Sequence, residues 1–258
     1  MKTLPHALLL AGATLAAPML AHAQATGPAP ATEPPVHAFT GKVSLYSEYE
    51  YRGLAQTSEK PALQLNLDYA HASGFYVGTF ISNVKWLKDF ADLGGFSTKA
   101  NLEWDIFAGY KREIAKDLTF DVGYLRYEYP RSGAFNPSPN TDEGYVGLTY
   151  GPVGVKYSYS FSNLFGVPNS KHSDFLEANL ALPLIDKLTL TGHVGHQRYK
   201  NFDAASYTVW KLGAVYDFGN GLNAGAYYKD TDAESALYTV KGRDWSDGRF
   251  VAFVSYSF

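Results

Sequence analysis

The 258 residues include no cysteine, which excludes both a disulfide framework and a thiolate metal site. Nor does a close-spaced group of histidines and carboxylates stand in for one. His193 and His196 are separated by an odd spacing that sends them to opposite faces of a strand, so they cannot chelate one ion together, and no metal and no cofactor is expected. Net charge is also small, with 22 Lys and Arg against 25 Asp and Glu. That balance is too even to call for nucleic acid or an anionic surface as a partner. Beyond residue 24 no apolar run approaches the roughly 18 residues that a helical span needs, so any membrane insertion must be made by strands. Gly-x-Ser-x-Gly does not occur either. Serines such as Ser158, Ser160 and Ser162 are plentiful, but a lipid-modifying barrel hydrolase needs a His and a Ser oriented together at the outer rim, so it is the weakest alternative; no catalytic residue is assigned and no enzyme is expected.

The start of the chain is expected to be a leader followed by a tether. Residues 1–23 read as a secretory signal: Lys2 supplies the positive start, Ala7 to Leu20 the apolar stretch, and Ala21-His22-Ala23 a small-x-small cleavage site. Residues 24–40, with Pro28, Pro30, Pro34 and Pro35, read as an extended periplasmic tether. Residues 41–258 then form the folded unit. Aromatics make up 16% of the chain, including 20 Tyr, beside 24 Gly. This is a composition suited to a bilayer interface, where a Tyr ring sits between apolar and wet layers.

From Gly41 onward about twelve alternating segments can be laid out: 42–51, 62–70, 75–84, 99–110, 118–129, 143–150, 153–161, 175–182, 188–199, 207–216, 222–230 and 249–258. Each approximates the roughly 9 to 11 residues of a tilted transmembrane strand. The last is the clearest, with Phe250, Ala252, Val254, Tyr256 and Phe258 on one face and Arg249, Ser255 and Ser257 on the other. An apolar terminal strand that ends on Phe resembles the sorting signal of bacterial outer-membrane barrels, here Phe250, Val254, Tyr256 and Phe258. Connections alternate between short turns and longer polar loops, which predicts an all-β, closed antiparallel transmembrane barrel with periplasmic turns and extracellular loops. A soluble sandwich would explain the alternation but not the aromatic terminus or the loop rhythm.

Parity assigns the side chains. Tyr69, Phe75, Tyr110, Tyr150, Tyr216 and Phe258 face outward beside the short turns, as an interfacial girdle requires. Glycines such as Gly78, Gly109, Gly195 and Gly213 face inward, leaving space for inward aromatics such as Tyr46, Tyr76 and Phe107. In the first segment Tyr49 and Tyr51 are expected on the outer face. The inner face carries Glu48, Glu103, Asp105, Asp121, Lys156, Glu177, His193 and Lys211. These are the candidate pore-lining residues, either a transverse field across a constriction or salt-bridged ladders that plug a narrow lumen. Arg126 and Arg198 fall on the lipid side near the long loops, where they would meet lipopolysaccharide phosphates, unless a bulge turns them inward.

Ser44-Leu45-Tyr46-Ser47-Glu48-Tyr49-Glu50-Tyr51-Arg52-Gly53-Leu54-Ala55-Gln56-Thr57, followed by Lys60-Pro61-Ala62-Leu63-Gln64, resembles the TorF family of porins of proteobacteria. Ser73 to Gly78, Ser82-Asn83-Val84 and the Glu103-x-Asp105-x-Phe107-x-Gly109-Tyr110 stretch agree. The resemblance implies an outer-membrane barrel without catalytic residues, in which Arg52, Gln56 and Lys60 belong to a first extracellular loop at the pore mouth. The resulting expectation is passive diffusion of small polar solutes or ions through a narrow charged lumen. Outer-membrane lipid, lipopolysaccharide and the barrel-assembly machinery are the expected partners, and the oligomeric state stays open. The competing reading is a plugged barrel that acts through its extracellular loops.

Overall fold

A computed structural model describes residues 36–258, so the expected leader and most of the tether lie outside the described residues. Twelve strands pair in antiparallel order with their chain neighbours, and the first pairs with the last. They are β1 (His37–Tyr46), β2 (Ala62–His71), β3 (Phe75–Asn83), β4 (Leu102–Ala115), β5 (Leu118–Glu128), β6 (Thr141–Tyr150), β7 (Val153–Ser160), β8 (Asp174–Ile185), β9 (Leu188–Arg198), β10 (Tyr207–Gly219), β11 (Leu222–Thr231) and β12 (Arg249–Ser257). The tether ends earlier than expected. His37 and Phe39 already pair with His71 and Tyr69 of β2, and the Phe39 and Tyr69 rings lie tilted to each other with centroids 4.9 Å apart, so residues 37–40 belong to the barrel wall.

Closure follows from the backbone, whose N–H and C=O groups find no water in hydrocarbon. At the seam Val43 pairs with Tyr256 and Leu45 with Val254. The last rung is reciprocal: the Gly41 N–H donates to the Phe258 carbonyl at 2.8 Å and the Phe258 N–H to the Gly41 carbonyl at 2.9 Å. Phe250, Val254, Tyr256 and Phe258 all face outward and are exposed, as are Phe75, Tyr150 and Tyr216 of the girdle.

The wall departs from its expected course at the first long connection. β1 stops at Tyr46, and residues 48–58 turn into the barrel, so that Tyr49 and Tyr51, expected on the lipid face, are only 3% and 2% exposed. Their Glu-Tyr alternation has the period of a barrel strand but belongs to a small ribbon, Glu50–Tyr51 against Leu54–Ala55. Arg52 and Gly53 turn it with φ of 45° and 88°. Two successive positive φ values are the signature of a type I′ hairpin, and a Cβ on Gly53 would lie 2.5 Å from Thr231 Cγ2, so the tip requires glycine.

The second long loop contains a helix, α1 (Trp86–Leu93), where an unstructured loop was expected. Trp86, Leu87, Phe90 and Ala91 form its buried face. The Lys85 and Trp86 N–H groups, free at a helix start, donate to the Gln56 carbonyl at 2.9 and 3.1 Å. Trp86 packs on Tyr129 and Phe90 on Trp245, with centroids 5.3 and 5.4 Å apart. The apolar core therefore fills the loop-side half of the barrel interior and caps it.

Along the wall, inward aromatics lie across inward glycines, as parity predicts. A Cβ on Gly78 would come within 2.4 Å of the Phe107 ring, and one on Gly195 within 2.3 Å of Phe175. Gly213 is the least forgiving, since its Cβ would fall 2.4 Å from both the Ala226 carbonyl and Tyr227 Cβ, neither of which can swing away. We expect Gly213→Ala to cost about 1–3 kcal/mol through overpacking, read as a lower urea midpoint in heat-modifiable gel mobility.

Candidate functional site

Strands β4 to β6 stand half a turn of the barrel from β10 to β12, and toward the long loops their inward charges are sorted by sign, whereas nearer the short turns Lys111 shares the face of Asp121. The first wall carries Glu103 and Asp105 (β4), Asp121 (β5) and Glu143 (β6); the second carries Lys211 (β10), Lys229 (β11) and Arg249 (β12). Two such walls set up a transverse field between them.

The inward hairpin fills this gap with matching charges. Arg52 reaches the acidic wall, where its two terminal nitrogens donate to Glu143 Oε1 and Oε2 at 3.1 and 2.8 Å, and one of them also donates to Gln197 Oε1 at 2.8 Å. The guanidinium lies over the Phe175 ring at 4.3 Å and over Tyr51 at 4.8 Å. Tyr127 donates its hydroxyl to Glu143 Oε2 at 3.2 Å. Facing the basic wall, Glu50 meets Lys211 at 2.7 Å and Glu48 meets Arg249 at 3.2 Å. Lys229, fully buried, donates to the Gly53 carbonyl at 2.8 Å and the Trp245 carbonyl at 3.3 Å. Tyr49 and Tyr129 donate to the two oxygens of Glu103 at 2.8 and 3.1 Å.

These contacts set the protonation of the hairpin. Burial alone would push the Glu50 carboxyl up, but Lys211, the Gly53 N–H and Lys229 outweigh it and hold it below the usual carboxylate range. For Glu48 burial wins over Arg249, and the carboxyl lies above its ordinary value. Burial opposes the Arg52 charge, yet Glu143 more than compensates and keeps the guanidinium protonated.

The remaining candidates occupy several levels of the lumen. Glu103 and Asp105 are fully buried. Asp121 accepts from Tyr76 at 2.6 Å on the short-turn side. Lys156 pairs with Glu177 at 2.9 Å, and Glu177 lies 3.5 Å from His193. His196 faces outward against Thr208, so the two histidines do diverge.

The pore-mouth assignment needs correction. Arg52 and Gln56 are not at the mouth but inside the barrel, 4% and 0% exposed, because the hairpin folds inward beneath α1; Lys60 alone stays exposed. Arg126 and Arg198 do face outward without a bulge. Each is already engaged, Arg126 by Asp142 and Glu128 at 2.7 Å and Arg198 by Asp174. His71 and Ser73 meet at 2.6 Å, but in an exposed turn on the short-turn rim, opposite to where a lipid-modifying pair would stand. Sequence reasoning missed Glu50, Glu143, Gln197, Phe175 and Lys229 as members of one site. The parity of Glu143, Gln197, Phe175 and Lys229 was available, but the inward course of the hairpin that unites them was not.

By fold the chain is a closed twelve-stranded antiparallel barrel with a long-loop rim, an architecture seen in solved porin structures. The chain is similar to the NanC porin (12% identity, TM-score 0.56, covering 86% of this chain and 99% of that one) and to the KdgM porin (10% identity, TM-score 0.55, 85% and 99%). At such identities the likeness is one of fold. Among curated proteins none matches the chain in sequence. The chain belongs to the family described as "Bacterial protein of unknown function (Gcw_chp)", which matches residues 29–258.

Removing one partner of a buried pair leaves the other charge uncompensated, at a cost of about 3–5 kcal/mol. Arg52→Ala should lose stability of that order in a urea titration, whereas Lys60→Ala, at an exposed position, should leave the midpoint unchanged.

Proposed function

We propose that the protein is a porin-like outer-membrane channel for passive diffusion of small polar solutes, held closed by the hairpin of residues 48–58. The observation that carries this reading is the charge-matched fit of that hairpin between two oppositely charged walls. An inert plug needs only bulk, whereas this one supplies a cation to the acidic wall and carboxylates to the basic wall. On the short-turn side the lumen is polar and partly accessible at Lys42, Asp68, Asp121 and Tyr145, which suits a water-filled vestibule. The resemblance to TorF porins supports the same reading. So does the expected leader, which would deliver the chain to the barrel-assembly machinery and into contact with lipid and lipopolysaccharide. No catalytic step is involved, since translocation by diffusion needs only a path and a field.

One observation favours the competing reading of a permanently plugged barrel acting through its loops. The aromatic cap of Trp86, Phe90, Tyr129 and Trp245 is buried as a folded core is. Planar-bilayer conductance separates the two. Replacing residues 48–58 by a short Gly-Ser linker should raise single-channel conductance several-fold over the intact chain. A folded excision variant that conducts no better than its parent would favour the plugged barrel.

The pH dependence has a definite sign. Because the Glu50 carboxyl is held low in the folded state, its contribution to hairpin seating is complete above the unfolded value of about 4.3 and is lost as pH falls through the lowered value. Glu48 works the other way, since its raised value means that acidification relieves a burial cost. In a Glu48→Gln background, therefore, open probability should rise as pH drops below about 4, and adding Glu50→Gln should move that opening to neutral pH.

A further inference from the structure

The surroundings of Arg52 are those of a binding pocket whose occupant happens to be tethered. A carboxylate, Glu143, accepts both ends of the guanidinium fork, the Gln197 carbonyl oxygen takes a further donor, and the Phe175 ring supplies an aromatic face 4.3 Å away. All three side chains belong to the barrel wall and are at least nine-tenths buried. Two of them are fixed independently of the hairpin, since the Phe175 ring lies across Gly195 and Gln197 donates to the Asp174 carbonyl at 3.0 Å, while Glu143 accepts from the wall residue Tyr127. Fork, acceptor and ring together recognise a planar guanidinium better than an ammonium point charge. A second seat lies toward the basic wall, where the Lys211 ammonium meets the Glu50 carboxylate with Tyr227 beside it.

We propose that these two seats form a ligand site for a zwitterionic solute bearing a guanidinium and a carboxylate, which replaces Arg52 and Glu50 and so releases the hairpin tip. Charge conservation selects this class. Withdrawing the tip leaves Glu143 and Lys211 unpaired in a buried setting, a strongly unfavourable state. A cation alone repairs only the first and an anion only the second. A free zwitterion repairs both and leaves the interior as neutral as before. The tethered residues compete at an effective concentration on the order of millimolar, so the solute acts in that range. The inference goes beyond the channel reading by naming its solute class, but it stands on the geometry of the seats and is tested apart from conduction.

The chain has no cysteine, so a single introduced thiol reports cleanly. Ala55 is fully buried and pairs with Glu50 across the ribbon. In the full-length Ala55→Cys protein in detergent or liposomes, millimolar 4-guanidinobutanoate, which carries one guanidinium and one carboxylate, should accelerate maleimide labelling several-fold. 4-Ureidobutanoate, its counterpart with a neutral ureido group, should have no effect, and butylguanidinium, which lacks the carboxylate, a smaller one. Equal labelling rates with all three overturn the proposal. A second variant covers the case in which the thiol protein fails to fold. In Arg52→Ala the emptied seat should take up guanidinium ion at low millimolar concentration, raising the melting midpoint toward wild type where sodium and urea at the same concentration do not, and Glu143→Gln in that background should abolish the rise. Guanidinium acting no better than sodium, or a rise that survives Glu143→Gln, overturns it as well. If both arms succeed while no variant conducts, the ligand site stands and the channel reading falls.

Discussion

A sheet in hydrocarbon cannot leave an edge, and this one constraint organises the molecule. Each backbone N–H and C=O must find a partner within the sheet, so β1 must meet β12, and the reciprocal bonds between Gly41 and Phe258 complete the last rung of that seam. Once the ring closes, parity has only two destinations, lipid or lumen. Every charge on the inner face then shares a confined volume with the others. The inner surface of a twelve-stranded ring lies between the filled interior of about eight strands and the open channel of sixteen, so partial filling is what its size dictates.

The filling is of two chemical kinds, arranged in depth. At the loop-side end α1 and the last long loop bring aromatics together, and each large side chain buried there contributes roughly 1.5–3 kcal/mol. Deeper in, the hairpin tip is held instead by Arg52, Glu48 and Glu50 against wall residues of opposite charge. Buried ion pairs add little net stability compared with apolar packing of the same volume, yet breaking one is costly. They therefore specify where the tip sits more than they strengthen the fold. An apolar tip would seat in many registers, whereas this one has an arrangement that pairs Arg52, Glu48 and Glu50 each with a wall charge of opposite sign.

Most of the fold was legible because its rule has a period of two. The strand count, the alternation of short turns and long loops, the outward Phe258 and the inward glycines under aromatic rings all follow from alternation and from what a bilayer tolerates. The hairpin was misread for the same reason: Glu48-Tyr49-Glu50-Tyr51 alternates like a wall strand, and nothing local marks where the chain leaves the wall. The one cue was Arg52-Gly53, a two-residue turn with glycine second, which with hindsight fits a type I′ hairpin. Trp86–Leu93 was missed because eight residues are too few for helical periodicity to stand out from a polar loop. The candidate charges were found one by one, but their division into opposed walls requires knowing that β4 to β6 face β10 to β12, a property of ring closure and not of any segment.

That division also indicates which part of the filling can move. The outer stretch of the hairpin is stitched into the cap, since Gln56 accepts from the first turn of α1, Ser58 donates to Asp89, and Arg243 donates to the Ser58 carbonyl at 2.7 Å. Displacing it would expose Trp86 and Trp245 to water. The tip, from Glu50 to Leu54, buries Tyr51 and Leu54 but adds charged contacts through Glu50 and Arg52, whose strength falls steeply when water enters and the local dielectric rises. Wetting from the short-turn side therefore weakens the tip's attachments while leaving the cap's apolar contacts intact. A barrel built this way loosens from the inside outward, and the cap serves as the fixed end against which the tip can flex.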